Sequence, residues 1–101
     1  MIQVVLRDNG MWVAGHSGYG AKGEDVVCAA VSILVEAAAA ELEEQGRLVL
    51  YCFGDGMCSL TAAEDCETLD VARQGLLLLA RYYGDYVSIR DVRKRRKQNA
   101  R

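Results

Sequence analysis

The sequence predicts an α+β domain, with a mainly antiparallel sheet and two helices packed on one face. Short β-rich segments joined by glycine-containing turns indicate hairpins. Two longer segments have the composition or the periodicity of helices, which gives the order ββαββαβ. Hairpins separated by helices are typical of helices gathered on one face of such a sheet. The chain has 101 residues, so we expect one domain.

Five strands are predicted around two turns. Asn9-Gly10 lies between β-rich segments, and this pair is typical of tight hairpins because both residues tolerate positive φ. The segment "GDG" at 54–56 indicates a second hairpin. The predicted strands cover residues 2–8, 11–17, 47–53, 57–63 and 86–92.

The first helix is predicted over residues 25–45, with Glu24 or Asp25 as its cap and Gly46 after its end. Its first part is apolar on nearly every side except at Ser32, which predicts burial on more than one side. A chain of this size seldom covers a helix so fully. We therefore expect a partner subunit.

The second helix is predicted over residues 67–83, with Asp65 or Thr68 as its cap. Apolar residues recur there at steps of three and four, which predicts one buried stripe. The stripe consists of Leu69, Ala72, Leu76, Leu79 and Tyr83.

The charge distribution divides the chain into a domain over residues 1–92 and a basic tail over residues 93–101. The domain has a net charge of −8 and the tail has +6. The tail is expected to be a solvated, disordered terminus, and the alternative is a weak electrostatic contact with RNA or a ribosome. No apolar run is long enough to span a bilayer, and the start of the chain is unlike a signal peptide. We expect a cytoplasmic protein with no membrane partner.

The four cysteines are Cys28, Cys52, Cys58 and Cys66, and without a secretion signal they are expected to be reduced. Their spacing contains no C-x-x-C pair, and the chain has one histidine, so we expect no structural zinc site and no cofactor. Cys52, Cys58 and Cys66 are interpreted as structural or incidental.

The segment "GHSGYGAKGEDVVCAAVS" contains the residues best suited to chemistry. Cys28 falls in the first turn of the first helix, where the helix dipole favours a thiolate. A loop containing Gly18, Gly20 and Gly23 joins it to His16 and permits the imidazole to fold back toward the thiol. A Cys–His pair is the minimum for nucleophilic catalysis by sulfur. Free N–H groups near Cys28 are expected to be available for an oxyanion.

Two neighbours share a helix face with Cys28. Asp25 lies three residues before it, and either orients His16 or caps the helix. Ser32 lies four residues after it, and its hydroxyl bonds either near the thiol or back to a helix carbonyl. The residues alone leave a structural alternative open, because a cysteine in an apolar helix is more often a small buried side chain.

The same segment resembles the signature of the bacterial ribosomal-processing cysteine protease family (Prp). The signature consists of Gly-His, a glycine-containing loop, Asp-Ile/Val-Val-Cys, small residues and Ser. The twelve-residue spacing from His16 to Cys28 fits, and the resemblance extends over residues 1–92. Ser17 stands where alanine is usual, a change between small residues. The basic tail is outside the family pattern.

The resemblance implies a homodimeric cysteine endopeptidase. Such enzymes remove the N-terminal extension of bacterial large-subunit ribosomal protein number twenty-seven, which supports ribosome assembly. The resemblance makes Cys28 the nucleophile and His16 the general base, with Asp25 and Ser32 as supporting residues. It also implies an apolar substrate groove, covered by the glycine loop at 17–24 as a mobile lid.

Two other classes of function compete with this interpretation. The basic tail favours a non-catalytic ribosome- or RNA-associated module, although the acidic domain and the lack of an aromatic-basic surface pattern weaken it. A thiol redox protein would require Cys28 to form a mixed disulfide with a second cysteine.

Overall fold

The computed structural model describes residues 1–15 and 25–94. Seven elements follow one another in the order ββαββαβ, as the sequence predicts. The strands are β1 (Ile2–Arg7), β2 (Gly10–Ala14), β3 (Leu48–Gly54), β4 (Met57–Ala62) and β5 (Val87–Asp91), and the helices are α1 (Val26–Glu44) and α2 (Glu67–Tyr82).

The five strands form one sheet in the order β3-β4-β2-β1-β5. Strand β1 pairs antiparallel with β2, and β4 pairs antiparallel with both β2 and β3. The pairing of β1 with β5 is parallel, so the sheet is mixed. The predicted α+β class with a mainly antiparallel sheet is confirmed.

The core lies between one face of the sheet and the two helices. Side chains alternate across each strand, so β1 buries Ile2, Val4 and Leu6 while Gln3 is exposed. Helix α1 packs against α2, β3 and β4, and α2 packs also against β5. Gly75 permits the close approach of the helices, because a Cβ there would press on the Leu34 side chain.

The first hairpin turns one residue earlier than predicted. The turn residues are Asp8 and Asn9, and Arg7 pairs with Gly10, the first residue of β2. Gly10 serves packing rather than turn geometry, because a Cβ there would collide with the Leu60 carbonyl oxygen of β4. The Asn9 side chain instead ties the turn to β4 by donating to the Ala62 carbonyl at 2.9 Å.

Helix α1 buries one face within this chain rather than several. The buried residues are Val27, Val31, Val35, Ala38, Ala39 and Leu42. The opposite face is also apolar but exposed, with Val26 and Ile33 among its larger residues. The predicted all-round apolar character therefore corresponds to one packed face and one open face.

Helix α2 begins without the predicted side-chain cap. Its N-cap residue is Cys66, whose side chain makes no capping hydrogen bond. Asp65 instead accepts a hydrogen bond from Arg73 at 2.8 Å. The predicted apolar stripe is confirmed, with Leu69, Ala72 and Leu76 fully buried and Leu79 and Tyr83 packed against the core.

Arg73 is the one buried charged residue of the described chain, and it joins α2 to the first hairpin. Its Nη2 donates to the carbonyl oxygens of Arg7 and Asp8 at 2.9 and 3.0 Å. Its Nη1 bonds Asp65 at 2.8 Å and Asp70 at 3.0 Å. A guanidinium with several donors in a fixed fork suits this set of acceptors.

The last described residues are attached to the domain. Arg93 forms a salt bridge with Asp91 at 2.7 Å, and the Lys94 backbone N–H donates to Asp8 at 2.9 Å. The remainder of the basic tail lies outside the described residues. Within the described ranges, no helix is long and apolar enough to cross a membrane.

Candidate active site

Asp25 fixes the start of α1. Its backbone is extended, and its Oδ1 accepts hydrogen bonds from the N–H groups of Val27 at 3.0 Å and Cys28 at 3.1 Å. Its carbonyl oxygen accepts from the Ala29 N–H at 3.1 Å. Asp25 is thus the helix cap, as one of the two sequence-based interpretations has it.

This cap changes what the helix terminus can offer a ligand. The N–H groups of Val27 and Cys28 donate to Asp25 instead of being free. These two groups are therefore not free as expected, and stabilisation of an oxyanion near Cys28 stays a prediction. The physical reason is that a carboxylate at the cap position satisfies the same unpaired donors that an oxyanion would need.

Cys28 lies in the first turn of α1, as predicted, and its side chain is partly exposed. It lines a cavity of about 500 Å³ between α1 and the sheet. Cys58 lines the same cavity but is buried, and burial raises the pKa of its thiol. Cys52 and Cys66 do not line this cavity.

The cavity has three walls, all near one end of the sheet. The start of α1 supplies one, the ends of β1 and β2 supply the second, and the β3–β4 hairpin supplies the third. The walls consist of Cys28, Val31 and Ser32; Ile2, Val13 and Gly15; and the run from Phe53 to Cys58. Asp55 is the one charged residue among them, so the cavity is mainly apolar.

Gly15 closes the end of β2 against its neighbours. Its N–H donates to the Gly56 carbonyl at 2.8 Å. Its φ of 101° favours glycine, and a Cβ there would collide with the Met1 carbonyl oxygen. The residue that directly precedes His16 is therefore held in the cavity wall.

The remaining predicted site residues have different outcomes. Ser32 lines the cavity one helical turn after Cys28, so the structure brings these two residues to the same site. His16, Gly18, Gly20 and Gly23 lie outside the described residues. The segment that carries them begins after Gly15, which lines the cavity at the end of β2. It ends before Asp25, which caps α1.

The hairpin wall was not predicted from the sequence, and Phe53 is its most exposed large apolar residue. The register of β3 is irregular between Leu48 and Leu50. Because of this irregularity, each later residue of β3 lies on the opposite face of the sheet from the one that regular alternation predicts. Phe53 therefore pairs with Cys58 on the helix-facing side. The "GDG" turn signal placed Phe53 at the end of a strand, but the irregularity could not be predicted from the pattern of residues.

A partly exposed thiol in the first turn of a helix, opening into an apolar cavity, is typical of enzymes that use sulfur as a nucleophile. Comparison with known families agrees, because the model of the family described as cysteine protease Prp matches residues 1–88. The chain belongs to the cysteine protease Prp family.

Solved structures share the fold at low sequence identity. The ribosomal processing protease Prp of Staphylococcus aureus, with a covalently linked product peptide, has a TM-score of 0.80 at 17% identity, covering 90% of this chain and 99% of that one. The same protease with a substrate peptide has a TM-score of 0.74 at 16% identity and the same coverage. SMU.848 of Streptococcus mutans has a TM-score of 0.70 at 22% identity, covering 93% and 96%. No curated protein matches the chain significantly.

Proposed function

We propose that the protein is a cysteine endopeptidase that removes the N-terminal extension of bacterial large-subunit ribosomal protein number twenty-seven. The observation that carries the proposal is the position of Cys28. It lies in the helical turn that Asp25 caps, and it lines a mainly apolar cavity. Family membership and the ribosomal processing role of the S. aureus relative support this substrate class.

The proposed chemistry is acyl transfer with Cys28 and His16 as the dyad. The Cys28 thiolate attacks the scissile carbonyl, and the tetrahedral intermediate collapses to a thioester as His16 protonates the leaving amine. His16 then removes a proton from water, which attacks the thioester. The peptide with the new carboxyl terminus is released, and Cys28 returns to its thiolate form.

The test is mass spectrometry of an extension-bearing precursor incubated with the protein. The wild type should release the extension, and Cys28→Ala should abolish cleavage while its thermal unfolding stays cooperative. Cys52→Ala is the matched control, because Cys52 is exposed and outside the cavity. Full cleavage by Cys28→Ala would contradict the proposal.

His16 is tested separately from the nucleophile. His16→Ala should lower kcat by about 100-fold or more, because general acid–base catalysis typically contributes that much. The pH profile of kcat/KM should also lose its upper limb, because His16 must be protonated to donate to the leaving amine. An unchanged rate would remove His16 from the mechanism.

Asp25 and Ser32 are proposed as positioning residues. Asp25 holds the helix turn that carries Cys28, and Ser32 lines the cavity on the next turn. Gly18, Gly20 and Gly23 are proposed to let the loop at 17–24 close over bound substrate. Hydrogen exchange in that loop should slow when the substrate peptide is bound to Cys28→Ala, and unchanged exchange would contradict the lid.

We propose a homodimer that covers the exposed apolar face of α1. Val26 and Ile33 are large apolar side chains on a helix whose opposite face already packs in the core. Sedimentation should give the mass of a dimer, and Ile33→Glu should shift the equilibrium to the monomer. A monomeric wild type at micromolar concentration would contradict this assembly. We propose a cytoplasmic location, because the proposed substrate is a ribosomal protein precursor.

The basic tail keeps one alternative function testable. A non-catalytic RNA or ribosome module would bind rRNA in a salt-dependent way that vanishes on deletion of residues 93–101. It would also leave the precursor uncleaved. Cleavage by the tail-deleted protein would exclude this alternative as the main function.

A further inference from the structure

Phe53 occupies an unusual position for an aromatic residue. It lies on the helix-facing side of the sheet, opposite Cys58 in the β3–β4 pairing, yet 71% of its surface is exposed. Cys58, its partner in the same row, is 7% exposed.

The surroundings of Phe53 point to a ligand. It lines the same cavity as Cys28, at the wall formed by the β3–β4 hairpin. Tyr51 lies beside it on the same side of β3, with ring centroids 6.4 Å apart. Met57, directly after the hairpin turn, also lines the cavity and is exposed. An exposed apolar platform within a concave site is the form that ligand-binding walls commonly take.

We propose that Phe53 is the specificity-determining residue of this site, and that it packs against a large apolar side chain of the substrate close to the scissile bond. The inference rests on the proposed peptidase function, and it adds the residue that selects the substrate. Burial of a large apolar side chain against Phe53 removes both surfaces from water. An alanine at the same substrate position would leave Phe53 exposed.

The test combines enzyme variants with substrate variants. Peptides that span the scissile bond carry alanine at one position at a time, and kcat/KM is measured with the wild type, Phe53→Ala and Phe53→Leu. Phe53→Ala should lower kcat/KM by about 10- to 100-fold, mainly through KM, as expected for loss of one buried apolar contact. Phe53→Leu should recover part of the loss.

The coupling between the two sets of changes identifies the contact. At one substrate position, alanine should weaken cleavage by the wild type but cause no further loss with Phe53→Ala. Tyr82→Ala is the matched control, because Tyr82 is 69% exposed on α2 and outside the cavity. Its kcat/KM should equal that of the wild type. Losses that add independently at every position, or an unchanged Phe53→Ala, would overturn the proposal.

A binding measurement separates this inference from the proposed function. The same peptides, labelled with a fluorophore, are titrated with Cys28→Ala and with Cys28→Ala/Phe53→Ala. Weaker binding by the double variant supports the role of Phe53 whether or not cleavage occurs. Failure of the wild type to cleave any peptide would contradict the peptidase function, and equal binding by both variants would contradict the Phe53 contact.

Discussion

Asp25 accepts a hydrogen bond from the backbone N–H of Cys28 at 3.1 Å, and so the proposed nucleophile belongs to a capped helical turn. The cap fixes the backbone from which the thiol projects into the cavity. It also consumes donors that would otherwise face a ligand. The N–H groups of Val27 and Cys28 are therefore occupied by the cap in this structure.

Asp25→Ala should lower the free energy of unfolding by about 1 kcal/mol, the usual loss for removal of a helix cap. Asp25→Asn should lie within about 0.5 kcal/mol of the wild type, because asparagine caps equally well. Urea unfolding measures both. If Asp25 acts only as a cap, Asp25→Asn should also retain cleavage. A stable but inactive Asp25→Asn would show that its charge is needed.

Arg73→Met should lower the free energy of unfolding by about 2–4 kcal/mol. Methionine keeps the apolar volume but leaves the carbonyl oxygens of Arg7 and Asp8 without these donors. The half-exposed carboxylates of Asp65 and Asp70 contribute less, since solvent screens them. Thermal or urea unfolding measures the change.

The matched control for Arg73 is Arg81→Met on the same helix. Arg81 is exposed, so this change should stay within about 0.5 kcal/mol. Equal effects of the two substitutions would contradict a structural role for the buried guanidinium.

Gly10→Ala should destabilise the protein by about 1–3 kcal/mol, because the new methyl group would force β2 away from the Leu60 carbonyl of β4. Gly54→Ala is the control, since a Cβ there meets no atom within 4 Å. The two midpoints of urea unfolding should differ clearly. A Gly10→Ala midpoint equal to that of Gly54→Ala would show that the strands separate at little cost.

Cys58 should react with iodoacetamide at least about tenfold more slowly than Cys52 at pH 8. Burial raises the pKa of the Cys58 thiol, so its thiolate fraction at a given pH is smaller, and access is also restricted. Peptide mapping of the Cys28→Ala protein gives both rates. In 8 M urea the rates should converge, and equal rates in the folded protein would contradict the buried position of Cys58.

Local sequence signals predicted most of the fold. Gly46 and Asp25 bound α1 within one residue of its observed ends, and the repeat from Leu69 to Tyr83 identified the packed side of α2. These signals act between residues close in the chain. Strand order, the parallel pairing of β1 with β5 and the role of Arg73 depend on contacts between distant residues, and no local pattern contains them.

The candidate site also contains residues that local signals predicted and residues that they missed. Cys28, Asp25 and Ser32 were identified because helix spacing places them on one face, and Cys28 and Ser32 line one cavity. Phe53 was missed because an irregularity in β3 reverses the alternation that precedes it. The Asn9-Gly10 signal predicted the hairpin but placed its turn one residue late, since Gly10 belongs to β2 and packs against β4.

Strand β1 runs from the cavity at one end of the molecule to the attachment point of Lys94 at the other, and these two ends are called its poles. Ile2 begins the strand in the cavity wall, and Asp8, just beyond its other end, receives the backbone of Lys94. Six strand residues at about 3.3 Å each separate these poles by roughly 20 Å. A fluorophore or an affinity handle attached after Lys94 therefore starts at the pole away from the groove. Immobilised through that pole, the protein would present Cys28 and Phe53 to solution, which suits surface-based measurement of peptide binding.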